Sequence, residues 1–241
     1  SPKLNVFALE ASSGREIWRF DPSTTTSLSL NANRGVTYWE DGNDKRIFYT
    51  AGPYLFALNA KTGYPVQTFG YFGRASLKSK LGDWAQELYV ISTTPGIIYK
   101  NLLIMGTRVS EGALAAPGYI RAYNVKTGEV AWTFHSIPKP GEYGYETWPE
   151  DAYLRIGGVN SWSGFALDEE RGIVYVPTGS ASYDFYGGNR KGANLFANSL
   201  VALDAKTGKR IWHFQTVHHD VWDRDLPAPP NLLRVVHEGK T

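Results

Sequence analysis

The chain has 241 residues, a length that suits one large β domain or two smaller ones. Aromatic residues make up 14% of it, and it contains 25 Gly and 13 Pro, a composition that favours β structure with frequent turns over helix. The formal net charge of +2 gives no electrostatic reason to expect nucleic acid or an anionic membrane as a partner, and the absence of cysteine excludes disulfides, thiolate metal sites and a cysteine nucleophile.

Two further features concern the compartment. No apolar run approaches the roughly 18 residues that a membrane span requires. The start, Ser1-Pro2-Lys3, is typical of a processed or truncated chain, so the chain could derive from an exported precursor.

A strand–turn–strand unit recurs four times along the chain. The copies cover residues 8–20, 57–69, 122–134 and 202–214, and the last reads A-L-D-A-K-T-G-K-R-I-W-H-F. Each copy carries a glycine at the position where a hairpin requires a positive φ, namely Gly14, Gly63, Gly128 and Gly208. Trp18, Trp132 and Trp212 share one position in three copies, and Gln67 replaces them in the second. Such a recurrence predicts a repeat fold.

A further strand is predicted before three of the copies, at residues 46–50, 101–107 and 172–178. Each unit then holds about four short strands, the size of one propeller blade. Starting at residues 8, 57, 122 and 202, the copies lie 49, 65 and 80 residues apart, whereas a bare blade needs only about 40–50. The surplus is predicted to form loops at 70–88, 108–117, 135–160 and 180–198, and long loops on a rigid scaffold usually carry function.

The blade count predicts an incomplete ring. Residues 1–20 read as the end of a blade, residues 226–241 as the start of another, and about three complete blades lie between them. A closed propeller needs at least about 4 blades. We therefore predict an all-β chain of four-stranded antiparallel blades in which residues 1–241 form part of a longer propeller, or an open array that a partner completes.

Two loops carry single charged residues of interest. Arg34, between Asn and Gly in the segment 31–40, could direct its planar five-donor group at a carboxylate, although this segment by itself favours a surface arginine at a turn. Glu111, in G-T-R-V-S-E-G at 106–112, could be a hard oxygen ligand for Ca²⁺, and a solvated loop carboxylate is the alternative.

Trp162 stands in G-G-V-N-S-W-S-G-F-A-L-D, residues 157–168. Its small neighbours Gly158, Ser163 and Gly164 leave a large ring face open, which suits stacking against a flat ligand. The alternative is a core tryptophan that packs between blades. Trp162 does not occupy the repeat position that the other tryptophans share, and this favours a functional role.

The segment Q-T-V-H-H-D-V-W-D-R-D-L-P-A-P-P, residues 215–230, concentrates titratable groups in a few positions. Asp220, Asp223 and Asp225 could supply a general base or a metal ligand, or they could cap backbone N–H groups in a turn. Zinc is disfavoured because the adjacent residues His218 and His219 would point to opposite faces of a strand.

With these motifs the chain resembles the pyrroloquinoline quinone (PQQ)-dependent dehydrogenases, quinoproteins with an eight-bladed propeller. The repeat is similar to the tryptophan-docking motif of that family. The segments R-G-V-T-Y-W, G-G-V-N-S-W, V-Y-V-P-T-G and H-H-D-V-W-D-R-D-L-P-A-P-P most resemble the branch of membrane glucose dehydrogenases and related polyol and quinate enzymes. The resemblance covers essentially all 241 residues in order and implies that they form about half of the ring.

The resemblance implies a specific site. PQQ, a flat orthoquinone with three carboxylates, is expected to lie on a tryptophan floor at the propeller axis, held by arginine and a Ca²⁺ ion. Arg34 resembles the arginine that grips the cofactor and Trp162 resembles the floor, with Arg108 and Asn160 as further cofactor contacts.

The resemblance also implies the reacting groups. Asp223 resembles the catalytic base and a metal neighbour, with Asp220 as a second candidate for the base, and Glu111 resembles the metal-ligand glutamate. Ser180 stands eighteen residues after Trp162, where the alcohol dehydrogenases have an asparagine ligand, and a serine hydroxyl is a weaker ligand. Trp39 stands where the glucose enzymes carry a histidine thought to touch substrate.

The implied function is oxidation of the CH–OH group of an alcohol, polyol or sugar, with a quinone or cytochrome as electron acceptor. The resemblance also implies a periplasmic location, no nucleic-acid partner, and membrane association only through parts outside this chain. Two alternatives stay open. A non-catalytic protein-binding propeller accounts for the repeat but not for the inserted loops, and a degenerate quinoprotein without catalysis is suggested by Ser180.

Overall fold

Three four-stranded antiparallel sheets carry most of the regular structure in the computed structural model of the chain, which describes residues 3–28, 32–236 and 238. Their strand orders are β3-β4-β5-β6, β12-β11-β9-β8 and β13-β14-β15-β16, and two-stranded pairs β1-β2 and β10-β7 accompany them. The strands are β1 (Val6–Leu9), β2 (Glu16–Phe20), β3 (Thr37–Asp41), β4 (Asp44–Ala51), β5 (Tyr54–Asn59), β6 (Arg74–Ser76), β7 (Val90–Ile91), β8 (Ile97–Tyr99), β9 (Leu102–Met105), β10 (Arg108–Val109), β11 (Ile120–Asn124), β12 (Val130–Phe134), β13 (Ala166–Asp168), β14 (Ile173–Pro177), β15 (Ser199–Asp204) and β16 (Arg210–Gln215).

Helix is scarce. Among the described residues one α-helix, α1, covers Ala152–Arg155, and 3₁₀ turns cover Pro22–Thr24, Asp83–Ala85 and Tyr145–Thr147. None of the helices in the described residues is both long and apolar enough to cross a membrane. The predicted loops contain α1, the turns Asp83–Ala85 and Tyr145–Thr147, and the short strands β6 and β10. The 180–198 loop holds no helix, and β15 begins directly after it at Ser199.

The repeated hairpins form as their sequence predicts. The four repeat glycines have φ between 71° and 77°, a conformation that suits glycine. In the second, third and fourth copies an Asn or Asp caps the turn. Asp204 Oδ1, for example, accepts hydrogen bonds from Lys206 N at 3.1 Å and from Thr207 N at 2.8 Å. A bulge after the first alanine of the repeat, as between Ala202 and Leu203, shifts the register of three hairpins in the same way.

The second copy departs from the prediction of a regular hairpin. Its returning chain pairs with β5 only at an isolated bridge between Leu58 and Pro65, and the outer strand of this sheet is β6. Pro65 has no N–H to donate to a ladder. The chain then turns inward so that Phe69 is fully buried, and it reaches β6 after Gly70 and Gly73, both at positive φ.

Tryptophan contacts join neighbouring blades. Trp18 Nε1 donates to Ala60 O at 3.1 Å, and Trp132 Nε1 donates to Ala205 O at 3.2 Å. Each indole lies against the glycine of the next hairpin, where a Cβ on Gly63 or Gly208 would come within 2.5 or 2.4 Å of the ring. The second copy, with Gln67 in this position, uses a backbone bond from Gly70 N to Thr127 O at 2.8 Å instead.

The hydrophobic core lies between neighbouring sheets. One cluster packs Phe48 and Leu55 of the first four-stranded sheet against Leu103 and Tyr123 of the second, and another packs the second sheet against the third through residues such as Ile104 and Val201. Full burial of one such side chain stabilises the fold by roughly 1.5–3 kcal/mol. The stacked sheets thus form a rigid base for the loops at one end.

Candidate active site

A cavity of about 580 Å³ collects loops from all three four-stranded sheets. It is lined by Ala32, Arg34, Thr93, Arg108, Val109, Ser110, Glu111, Gly158, Asn160, Trp162, Ser180, Ser182, Asp184, Asp223, Asp225 and Pro227. Of the eight residues predicted as site residues, all but Asp220 belong to this lining. The structure thus brings together segments that are separated by up to about 190 residues in the sequence (from Arg34 to Asp223).

Backbone contacts between the loops fix the cavity wall. Isolated bridges join Pro117 to Gly158 and Gly158 to Ala181. Gly118 packs so tightly that a Cβ there would lie 2.3 Å from Asn160 Cα. Asn160 itself donates from Nδ2 to Thr107 O at 2.9 Å, which orients its amide. These short contacts explain why small residues surround the predicted motifs.

Trp162 lies in the cavity wall and not between blades. Its Nε1 donates to Asp225 Oδ2 at 2.6 Å, and the Arg34 guanidinium carbon lies 5.4 Å from the centroid of its ring. Arg34 is held in turn by a backbone bond from its N to Thr93 O at 2.8 Å and by a side-chain bond to Thr93 Oγ1. An oriented indole face with a cation beside it can bind a flat anionic ligand.

Asp225, which the sequence offered only as one of three possible bases or metal ligands, connects two walls of the cavity. Besides the bond from Trp162, its Oδ1 accepts from Ser180 N at 2.6 Å. A Cβ on Gly179 would lie 2.5 Å from this oxygen, so glycine is required there. The position of Asp225 two residues after Asp223 is a signal that could have indicated its proximity to the site.

Asp223 faces the cavity from an unusual backbone conformation. Its φ is 55°, which a non-glycine residue adopts uncommonly and Asp more readily than most. Partial burial raises the pKa of Asp223, and the negative charges of Asp225, Glu111 and Asp220 raise it further. A carboxylate with a raised pKa is a stronger proton acceptor than an ordinary one.

Asp220 lies behind the wall and is not exposed to the cavity. Its carboxylate accepts hydrogen bonds from Trp222 N, Arg224 N and Ser180 Oγ at 3.2, 2.7 and 2.8 Å. Burial acts to raise its pKa, but these hydrogen bonds outweigh it and hold the pKa of Asp220 below its ordinary value. Of the two candidates for the base, the geometry therefore favours Asp223, and Asp220 stabilises the turn, as the alternative interpretation expects.

The predicted metal ligands are dispersed around the wall. Arg108 Nη2 lies 3.6 Å from Glu111 Oε1 in an ion pair, and the hydroxyl of Ser180 donates to Asp220 and accepts from Asn198 Nδ2 at 3.0 Å. Across residues 3–28, 32–236 and 238, no three side chains among Asp, Glu, His and Cys converge closely enough to hold a metal ion. The protein side chains alone therefore do not form a closed metal cage there.

Asp184 has no role in the sequence-based prediction. It lines the cavity, is only 5% exposed, and has no hydrogen bond or ion pair to any part of the chain that the structure describes. Burial raises its pKa to about 7, the charges of Asp223, Asp225 and Glu111 add to the effect, and Arg190 opposes it. An aspartate between two aromatics in a long inserted loop was the signal available in the sequence.

Arg190 links the two loops that carry these aspartates. Its side chain is fully buried, and its Nη2 donates to Tyr183 O at 2.8 Å and to Asp220 O at 2.5 Å. Nη1 donates to Asn194 Oδ1 at 2.8 Å. Three acceptors for one buried guanidinium fix the relative position of the loops.

Trp39, which stands where the glucose enzymes carry a histidine, lies outside the cavity lining. It is 5% exposed in the core between the first two four-stranded sheets, and its Nε1 donates to Lys100 O at 3.1 Å. The strand pairing explains this: Trp39 lies on the inward face of β3, opposite Arg46, and so cannot reach a ligand in the cavity.

Comparisons with known proteins agree with this architecture. Residues 1–241 match the family described as "PQQ: Glucose/ethanol/alcohol dehydrogenase, beta-propeller domain". The quinoprotein glucose dehydrogenase of Escherichia coli (strain K12) is 35% identical over 253 residues, which cover 98% of this chain and 31% of that protein. The quinate/shikimate dehydrogenase (quinone) of Acinetobacter baylyi is 32% identical, over 97% of this chain and 32% of that protein.

Solved structures share the fold. A quinohemoprotein alcohol dehydrogenase from Pseudomonas putida HK5 superposes with a TM-score of 0.80 at 30% identity, over 100% of this chain and 35% of that one. The enzyme from Comamonas testosteroni gives a TM-score of 0.80 at 27% identity, over 100% of this chain and 36% of that one. The chain thus spans about a third of the length of these relatives, and the predicted all-β propeller fold is confirmed. By its whole sequence and by its fold, the chain belongs to the PQQ-dependent glucose/ethanol/alcohol dehydrogenase β-propeller family.

Proposed function

We propose that the protein containing this chain oxidises the CH–OH group of an alcohol, polyol or sugar, with PQQ and Ca²⁺ as cofactors. The observation that carries the proposal is the joint lining of one cavity by two arginines, an oriented indole and several carboxylates. A scaffold role would account for the blades but not for this combination. The family and the printed names of its relatives support the same reaction class.

The cavity suits the cofactor. Its volume of about 580 Å³ lies within the roughly 300–1,000 Å³ of small-molecule sites. Arg34 and Arg108 offer planar donor groups to ligand carboxylates, Trp162 offers a ring face held by Asp225, and Asn160 is oriented by Thr107. We assign these four cavity residues, Arg34, Arg108, Asn160 and Trp162, to cofactor binding.

The cavity also suits a hard cation. Glu111, Asp223 and the hydroxyl of Ser180 would hold Ca²⁺, because carboxylate and hydroxyl oxygens are the ligands it prefers. When bound, PQQ would supply a hydride acceptor and Ca²⁺ would supply a Lewis acid beside it. Because the described side chains do not form a closed cage, the ligand set is completed only when the other parts of the site are in place.

Asp223 takes the role of general base in this proposal. A carboxylate oxygen of Asp223 accepts the proton of the substrate hydroxyl, and its raised pKa improves it for this task. Asp225 and Trp162 form the adjacent wall through their 2.6 Å hydrogen bond. Because Asp225 lies two residues after Asp223, this bond fixes the position of the base relative to the indole.

The acceptor and the compartment complete the proposal. We propose a quinone or a cytochrome as electron acceptor, supported by the printed name of one relative, which specifies quinone, and by quinohemoprotein relatives. A periplasmic location rests on the family resemblance alone.

The test is a PQQ titration of the full-length protein, with Ca²⁺ and with chelator, followed by tryptophan fluorescence. We expect saturable quenching that requires Ca²⁺ and is lost in Trp162→Ala. Trp212→Phe is the matched control, because Trp212 is 40% exposed and outside the cavity lining. Absence of quenching under every metal condition would overturn the proposal, and binding without dye reduction would indicate the degenerate alternative.

A further inference from the structure

Asp184 combines burial with the absence of a partner. It lies on the 180–198 loop between Tyr183 and Phe185, which are 39% and 71% exposed, whereas Asp184 is 5% exposed and lines the cavity. No N–H or O–H of the residues that the structure describes donates to its carboxylate. A buried carboxylate without a donor is costly, since desolvation is not compensated.

The other acidic residues of the site are not both buried and without a hydrogen-bond donor. Asp225 accepts bonds from Trp162 and Ser180, Glu111 pairs with Arg108, and Asp223 is exposed. Because Asp184 lines the cavity, a molecule bound there can supply the donors that its carboxylate lacks.

Asp184 is not among the proposed Ca²⁺ ligands, which are Glu111, Asp223 and Ser180. Its carboxylate therefore remains available to a second group in the cavity. A hydroxyl group of the ligand would supply the donor that the Asp184 carboxylate lacks, because an alcohol O–H is a donor of the right size for a single carboxylate.

The surroundings of Asp184 also suit a neutral hydroxyl. Asp223, Asp225 and Glu111 face it from the cavity side with negative charge, and Arg190 opposes them from behind. A second anionic ligand group would be repelled there, whereas a hydroxyl donates to the carboxylate without adding charge.

The loop that carries Asp184 is held in advance of binding. Arg190 donates to Tyr183 O, next to Asp184, and to Asp220 O, three residues before Asp223. The two aspartates therefore approach a ligand as a fixed pair, and little conformational entropy is lost on binding.

We propose that Asp184 binds a second hydroxyl group of the substrate while Asp223 acts on the one that is oxidised, so that the site selects polyols and sugars over monoalcohols. This inference rests on the proposed function. A site built to bind a substrate hydroxyl discriminates strongly against an analogue that lacks it.

The test compares glycerol, sorbitol and glucose with 1-propanol as substrates of the full-length protein loaded with PQQ and Ca²⁺. We expect Asp184→Ala to lower kcat/KM for the preferred polyol at least about tenfold and to leave that for 1-propanol nearly unchanged. Asp184→Asn keeps an acceptor oxygen and should retain part of the polyol activity. Asp41→Asn is the control, because its exposed carboxylate pairs with Lys126 outside the cavity.

Equal losses on both substrate classes, no loss on polyols, or wild-type activity confined to 1-propanol would overturn the inference. Saturation-transfer NMR of the polyols gives a readout without turnover, and the signal should disappear in Asp184→Ala. If PQQ fails to bind at all, the proposed function fails, and the NMR signal alone decides the inference: its loss in the variant supports a hydroxyl site, and an unchanged or absent signal overturns it.

Discussion

Three aspartates near the cavity have the same side chain and different pKa values. Hydrogen bonds from Arg224 N and Ser180 outweigh burial at Asp220 and lower its pKa. Burial is the largest single effect at all three aspartates, but Asp223 and Asp184 lack the hydrogen bonds that oppose it, so the pKa of each is raised. The difference lies in the number of donors, which depends on loop positions far apart in the sequence. Residue type alone could therefore not distinguish the structural aspartate from the other two.

The raised pKa of Asp184 predicts a pH-dependent stability. Its carboxyl titrates near pH 7 in the folded chain and near its ordinary value of 3.8 in the unfolded chain. Between these values the folded state holds a proton that the unfolded state has released, so stability falls as pH rises through this window, by at most about 1.4 kcal/mol per pH unit for one proton.

Asp184→Asn should remove this dependence. The measurement is the Tm of metal-free full-length protein at pH 5, 6, 7 and 8, as the difference between the variant and the wild type. We expect the Tm of the variant to rise relative to the Tm of the wild type as the pH increases from 5 to 7. Above pH 7 the difference between the two Tm values should stay constant. Parallel Tm curves across the whole range would contradict the raised pKa.

At the scale of the elements, the hairpins show what local sequence can predict. The strand pattern, the Asx cap and the positive-φ glycine all lie within about a dozen residues, and three of the four hairpins form as predicted. The second copy differs because Pro65 and Gly70 redirect the chain. The burial of Asp184 and the partners of Arg190 could not be predicted, because loops with no regular structure of their own are fixed only by contacts with other loops.

The Trp132 contact can be tested by comparing two glycines. Gly208 and Gly14 have φ values of 72° and 71°, so an alanine meets the same backbone strain at both. A Cβ at Gly208 would lie 2.4 Å from the Trp132 ring, whereas at Gly14 nothing lies within 4 Å. We expect Gly208→Ala to lower the free energy of unfolding by about 1–3 kcal/mol more than Gly14→Ala, because overpacking adds to the strain.

The measurement is chemical denaturation of both variants in the full-length protein. Equal losses of stability would show that the indole moves away at no cost, and the docking contact would then contribute little to the stacking of blades. A larger loss for Gly208→Ala would assign the stacking energy to the tryptophan–glycine contact that the repeat encodes.

For the whole molecule, the cavity couples the sheets to one another. Its lining comes from loops of the first, second and third four-stranded sheets, and its carboxylates repel one another without a cation. A ligand that binds only the assembled cavity stabilises the folded state by about 2.7 kcal/mol at a hundred times its Kd. Ca²⁺ together with PQQ should therefore raise the Tm of the full-length protein, and chelation should lower it again.

Variants separate this coupling from nonspecific ion binding. Glu111→Gln removes one proposed ligand from an exposed loop and should reduce the Ca²⁺-dependent rise in Tm, whereas Asp41→Asn, at a surface ion pair outside the cavity lining, should leave the rise unchanged. Mg²⁺ at the same concentration provides a second control, because it demands a stricter octahedral geometry than Ca²⁺. If all three proteins gain the same Tm with either ion, the cation does not bind in the cavity, and the repulsion among its carboxylates must be relieved by protonation instead.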